Sequence, residues 1–128
     1  VLLENTNSKE YNKDVGYYGE DIASDYLYNK GYKILKRNYS NRFGEIDIIC
    51  IKNDILCFVE VKSRYNTNYG YAIESINKNK INNIKKLTNY FLFNNKFNDY
   101  FIRFDVIEVY LNYKDDNSKV IHIKDAFR

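Results

Sequence analysis

Two acidic residues and a lysine lie close together in the middle of this 128-residue chain. They belong to the runs Gly44-Glu45-Ile46-Asp47-Ile48-Ile49-Cys50-Ile51-Lys52 and Ile55-Leu56-Cys57-Phe58-Val59-Glu60-Val61-Lys62-Ser63-Arg64. Both runs are rich in β-branched and aromatic residues, and the turn-forming pair Asn53-Asp54 separates them, so they read as the two strands of a hairpin. Counting outward from that turn places Asp47 opposite Glu60, and strand alternation returns Lys62 to the face of Glu60. Opposed carboxylates repel unless a cation sits between them. A hard divalent ion such as Mg²⁺ or Mn²⁺ takes oxygen ligands of this kind, with water and substrate phosphate filling the rest of its shell. Carboxylate-held metal suits phosphodiester hydrolysis, because it activates water and stabilises the charge that develops on oxygen. A lysine beside that metal has its cationic form disfavoured, which brings it nearer to acting as a base.

A plainer reading has Glu60 pairing with Lys62 or Arg64 on a solvated strand face. The apolar neighbours Phe58, Val59 and Val61 argue against it, since a largely buried strand holds charge only when the charge is paired or metal-bound. The same count sets Glu45 against Lys62, where it would neutralise that lysine. It also sets Cys50 against Cys57 on the opposite face; two cysteines without further Cys or His ligands make no zinc site and read as small core residues. The lone His122 lies in an expected strand and reads as structural or exposed.

These residues need elements to hold them. Apolar positions recur at helical spacing from Val15 to Lys30, and Gly31 supplies the stop. Within this first helix Gly16, Glu20, Ala23 and Leu27 form one stripe, so Glu20 faces inward, where an acid needs a partner. A strand over Tyr32 to Asn38 leads into the hairpin, and Tyr65 to Tyr71 reads as a loop at its open end. Ile76, Lys80, Ile84, Leu87 and Phe91 mark a second helix at roughly 74–94. A strand at about Tyr100 to Leu111 alternates Arg103, Asp105, Ile107 and Val109 on one face with Phe104 and Val106 on the other. The polar segment Asn112 to Lys119 then turns into a last strand, Val120 to Lys124. Residues 1–13 are polar and aperiodic, the pattern of a flexible tail, and residues 14–128 form a single nuclease-like domain. The expected class is α/β, a mixed β-sheet flanked by helices in the order α-β-β-β-α-β-β.

An apolar share of 45% excludes disorder, and no run approaches the ~18 apolar residues of a membrane span. The start of the sequence lacks the pattern of a secretion signal, so a cytoplasmic protein with no membrane partner is expected. The net charge of +3 and the lysines at 78, 80, 85 and 86 fit a phosphate-backbone partner. An AT-rich genome would also produce this excess of Lys, Asn, Ile and Tyr.

Taken together, Gly16-x-x-Gly19-Glu20, Gly31-Tyr32-x-Ile34-Leu35-x-Arg37-Asn38, Phe43-Gly44-Glu45-Ile46-Asp47-x-Ile49, Phe58-Val59-Glu60-Val61-Lys62-x-Arg64 and Arg103-Phe104-Asp105-Val106 resemble the bacterial YraN family. The resemblance covers nearly the whole chain from residue 15. It implies a restriction-endonuclease-like fold, similar to that of the archaeal Holliday-junction resolvases, and hence a DNA endonuclease acting on structured or branched DNA. A DNA-binding module that keeps the fold with little or no activity is the alternative. The resemblance also implies that Asp47 and Glu60 bind Mg²⁺ or Mn²⁺, that Glu20 completes the cluster, and that Lys62 orients or activates water. Arg37, Arg42, Arg64, Lys78 and Lys80 are the expected DNA contacts. By analogy with resolvases, which cut two strands symmetrically, a homodimer is also expected.

Overall fold

The computed structural model describes residues 8–64, 76–111 and 118–128, with side chains from Tyr18 onward in the first helix. Helix α1 (Ser8–Asn29) is followed by β1 (Lys33–Asn41), β2 (Gly44–Lys52), β3 (Ile55–Arg64), α2 (Lys78–Asn94), β4 (Phe101–Leu111) and β5 (Ser118–Phe127). The order α-β-β-β-α-β-β is the expected one. The strands form one five-stranded sheet in chain order, antiparallel throughout except for the parallel β3–β4 pair that α2 connects.

Each face of the sheet packs on one helix. Ala23 and Leu27 of α1 bury against Ile48, Cys50, Cys57, Val59, Ile107 and Val109. On the other side Ile84, Leu87 and Phe91 of α2 bury against Ile46, Ile49, Leu56 and Phe58. Strands β2 and β3 are thus covered on both faces, which explains their nearly continuous apolar runs. Gly31, at a φ of 93°, ends α1 in the left-handed conformation, and the Tyr32 amide donates back to the Leu27 carbonyl. Asn77 caps α2, its side-chain oxygen accepting from the Lys80 amide at 2.9 Å.

Several boundaries differ from the sequence expectation. Helix α1 begins at Ser8, ahead of Val15, because its first turns carry no apolar stripe to read. It therefore takes in part of the stretch expected as a tail, and residues 1–7 of that stretch lie outside the described residues. Strand β1 runs on to Asn41 and β5 spans Ser118–Phe127, both longer than the apolar pattern marks. The loop expected at Tyr65 to Tyr71, the start of the second helix at 74 and most of the turn after Asn112 also fall outside the described residues. Cys50 and Cys57 are opposed as expected, and both are fully buried. Among the described residues, no helix is long and apolar enough to cross a membrane.

A polar knot ties β4, β5 and α1 together beneath the α1 face. Asp105, fully buried, accepts two hydrogen bonds from Arg103, at 2.8 and 2.9 Å. It also takes the Asp125 amide at 3.1 Å and lies 2.8 Å from His122 Nε2. Burial alone would raise the Asp105 pKa, but the bonds from His122, Arg103 and the Asp125 amide outweigh it and hold the carboxyl below its ordinary value. An ionised Asp105 requires His122 to donate through Nε2, and the other ring nitrogen, Nδ1, lies 3.2 Å from the Tyr26 hydroxyl. Arg103 in turn donates to the Tyr32 hydroxyl at 2.8 Å. His122 is structural, as expected. Asp105→Ala leaves the half-buried Arg103 and the His122 ring without their shared carboxylate, so unfolding in urea is expected to show a loss of about 3 kcal/mol. Because the folded pKa is depressed, the stabilisation from Asp105 is present above its ordinary pKa and is lost as the pH falls below it, which an acid titration of wild type against the variant would trace.

Candidate active site

The expected hairpin register holds for five pairs, from Lys52↔Ile55 to Ile48↔Val59, and the ladder stops there. One residue further, Asp47 Oδ2 accepts the Val61 amide at 2.7 Å. A side-chain oxygen has taken the place of a ladder acceptor. The pleat is interrupted at the same point, because Ile46 packs with α2 and Ile48 with α1 although both lie two apart on one strand. Asn38, which the β1–β2 register sets beside Asp47, has a φ of 54°. Asp47 therefore sits where the two faces of the sheet meet, with acids on both sides of it.

On the α1 side the carboxylate oxygens of Glu20, Glu45 and Asp47 all lie within 4.8 Å of one another. Glu20 is 7% exposed, on the inward stripe as expected. Gly19 puts it there: a Cβ at Gly19 would lie 1.6 Å from Ser63 Oγ and 2.7 Å from Ser63 Cβ, so only glycine lets α1 approach β3 this closely. With its amide nitrogen turned to these acids, Asn38 donates to Glu20 Oε1 at 2.9 Å and to Glu45 Oε1 at 3.0 Å. Arg37 pairs with Asp21 of α1 at 2.9 Å.

On the α2 side stands Glu60, buried and held by two ammonium groups. Its Oε1 lies 2.5 Å from Lys80 Nζ and 3.4 Å from Lys62 Nζ. Glu45 is not the counter-ion of Lys62: the ladder ends before that pair, and Glu60 takes the role.

The electrostatics follow from this crowding. Burial first, then the Glu60 charge, and then Glu20 and Glu45 push Asp47 from its ordinary 3.8 up to about 8, against the opposing pull of the Val61 amide. Glu20 is raised too, mainly by burial and partly by Glu45, although its bond with Asp47 works the other way. Burial and then the neighbouring Lys80 lower Lys62, despite Glu60. Burial alone would lower Lys80, but Glu60 with Lys62 and Asp47 holds it above its ordinary value. The ammonium nearer to Glu60 keeps its proton more firmly, and Lys62 is the one brought toward neutrality.

Of the expected site residues, the fold brings Glu20 and Asp47 into one group, adds Glu45 to it, and sets Glu60 and Lys62 against Asp47 from the other side. Of the expected DNA contacts, Lys80 is inside the site, and its place on the stripe Ile76, Lys80, Ile84, Leu87 and Phe91 was the signal that it points inward. Lys78 is exposed in the first turn of α2. Arg42 and Lys86 both lie over the Phe43 ring, at 5.0 and 5.3 Å, and Arg64 ends β3. Phe43, Gly44, Glu45, Lys80 and Asn83 line a cavity of about 220 Å³ beside the cluster. Three carboxylates with no nitrogen or sulfur donor among them match the preference of a hard divalent cation such as Mg²⁺ or Mn²⁺, whose charge would relieve the repulsion that raises Asp47.

The family model described as "Uncharacterised protein family UPF0102" matches residues 19–109, a span that holds every residue of this site. A UPF0102 protein of Clostridium botulinum (strain Alaska E43 / Type E3) is 51% identical over 94% of this chain and 98% of its own length. One from Clostridium beijerinckii is 52% identical over the same shares, and one from Clostridium tetani is 47% identical over 92% and 97%.

Two outcomes test the geometry. Asn at position 47 keeps an oxygen for the Val61 amide and has no proton to take up on folding, so metal-free Asp47→Asn is expected to be more stable than wild type at neutral pH, by on the order of 1–2 kcal/mol. Since the Asp47 pKa is raised in the fold, the penalty for its charge is absent below 3.8 and complete above about 8. Thermal melts across that range should show the gap between variant and wild type opening as the pH rises. Gly19→Ala is expected to cost about 1–3 kcal/mol by pushing α1 off Ser63, measured by denaturant unfolding.

Proposed function

We propose that this chain, which belongs to the UPF0102 (YraN) family, is a metal-dependent endonuclease that hydrolyses phosphodiester bonds in DNA, with structured or branched DNA as its substrate. The observation that carries this reading is the convergence of Glu20, Glu45 and Asp47 on one point with Glu60 and Lys62 beside it. A fold gains no stability by setting the buried Glu20 and the half-buried Asp47 against each other, with the exposed Glu45 beside them, since their repulsion costs free energy that a function must offset. Mg²⁺ or Mn²⁺, when bound, would polarise the phosphate and acidify water.

The protein side chains divide the rest of the work. Glu20, Glu45 and Asp47 offer oxygen ligands, and Asn38 fixes the two glutamates by donating to both. Lys62, lowered by burial and by Lys80, is suited to take a proton from the attacking water. Exposed Lys78, together with Arg42 and Lys86 around Phe43, supplies positive charge for the DNA backbone. Arg37 and Arg64 are assigned the same role from the sides of β1 and β3.

One observation favours a second reading, a nucleic-acid-binding module with the fold and little activity: both lysines hold Glu60 in ion pairs rather than leaving it among the other acids. Labelled branched and linear DNA, incubated with the protein and Mg²⁺ or Mn²⁺, separates the two. Cleavage should appear with branched DNA and fall roughly 100-fold or more in Asp47→Asn and in Glu20→Gln. Absence of cleavage on every substrate, or activity unchanged by Asp47→Asn, overturns the endonuclease reading. Binding that persists in chelator and weakens steeply with salt then selects the module.

A further inference from the structure

Glu60 is a carboxylate with two cations of the protein's own on a single oxygen. Lys80 reaches it from the first turn of α2 and is the closer, at 2.5 Å, while Lys62 lies 3.4 Å from the same Oε1. The carboxylate oxygens grouped for a metal belong to Glu20, Glu45 and Asp47 and do not include Glu60. Yet Asp47 Oδ2 holds the amide of Val61, the residue after Glu60 on β3, at 2.7 Å, and the Glu60 charge is the strongest of those that raise Asp47. Both lysines sit on Oε1, so an ion that takes this oxygen, singly or with Oε2, meets the ammonium of Lys80 as its competitor.

Lys80 has somewhere to go. It lines the cavity of about 220 Å³ that also holds Glu45, Phe43 and Asn83, and its side chain is 35% exposed, whereas Glu60 is 6% exposed. A flexible four-carbon stem lets the ammonium turn about the fixed backbone of the capped first turn. Lys62 starts from a rigid strand and remains beside Glu60 after such a move.

We propose that Lys80 is a built-in cation that competes with the divalent metal for Glu60, so that metal binding displaces its ammonium into the adjoining cavity, where it contacts a DNA phosphate. This rests on the metal-dependent reading of the site. It makes Lys80 a positioning residue in the metal-free protein and a phosphate contact in the loaded one.

Isothermal titration of Mn²⁺ into chelator-treated protein tests it, comparing wild type with Lys80→Met and with Lys124→Met, which removes one exposed positive charge from β5. Lys80→Met is expected to bind Mn²⁺ at least about fivefold more tightly than wild type, with Lys124→Met unchanged. Equal affinity in wild type and Lys80→Met, or the same tightening in Lys124→Met, overturns the proposal while leaving a metal site intact. Heat in neither wild type nor Lys80→Met overturns the metal reading itself, and this proposal with it. Should Lys80→Met lose its fold by circular dichroism, wild type answers alone. With lysine labelled by ¹⁵N at Nζ, and Lys80 assigned by its loss in Lys80→Arg, saturating Mg²⁺ must move the Lys80 resonance. A resonance that stays in place while Mg²⁺ binds overturns the displacement.

Discussion

Repulsion among the carboxylates around Asp47 is the constraint to which the rest of this structure answers. Glu20 arrives from a helix, Glu45 from the start of a strand and Glu60 from the neighbouring strand. Glu20 and Glu60 are buried and would be better solvated elsewhere, while Glu45 keeps its exposure to water. Local devices hold them: the missing side chain at Gly19, the Val61 amide on Asp47, the Asn38 amide across two glutamates and two lysines on Glu60. Most of these devices are hydrogen-bond donors, which favour charged carboxylates, whereas burial favours neutral ones. For Asp47 burial and like charge win.

The two faces of the sheet divide this problem. Hydrophobic packing against α1 and α2 fixes β2 and β3 from both sides, so the end of the hairpin is rigid where the ladder stops. The knot around Asp105 anchors β4 and β5 to the same α1 face through Arg103, His122 and Tyr26. That buried carboxylate is held by an arginine, a histidine ring and a backbone amide, and stays charged. Asp47, with acids for neighbours, does not. Two aspartates in one small domain, one buried and one half-buried, thus shift in opposite directions because of what stands beside them.

Much of this was legible in the sequence. The hairpin register followed from a turn dipeptide between two alternating runs, and the inward placing of Glu20 followed from one helical stripe. The break at Asp47 was not legible, since it depends on a left-handed Asn38 and a side chain taking a backbone amide, neither of which has a period. For the same reason Glu45 was read as the counter-ion of Lys62: the count across the hairpin was carried past the point where the ladder ends. Lys80 was read as a surface contact although it lay on an apolar stripe. Helical spacing shows which face a residue occupies but not what that face meets after a crossover between parallel strands.

That crossover also sets an order of assembly. Every carboxylate of the cluster comes from α1 or from the β1–β2–β3 meander, whose pairings are local in sequence, whereas Lys80 arrives with α2 and the parallel β3–β4 pairing. Local contacts close first, because long loops cost more entropy before any contact repays it. Lys80 is nevertheless nearer in sequence to Glu60 than Glu20 is to Asp47, so the same entropy brings the counter-charge of Glu60 within reach before the helix acid joins the cluster.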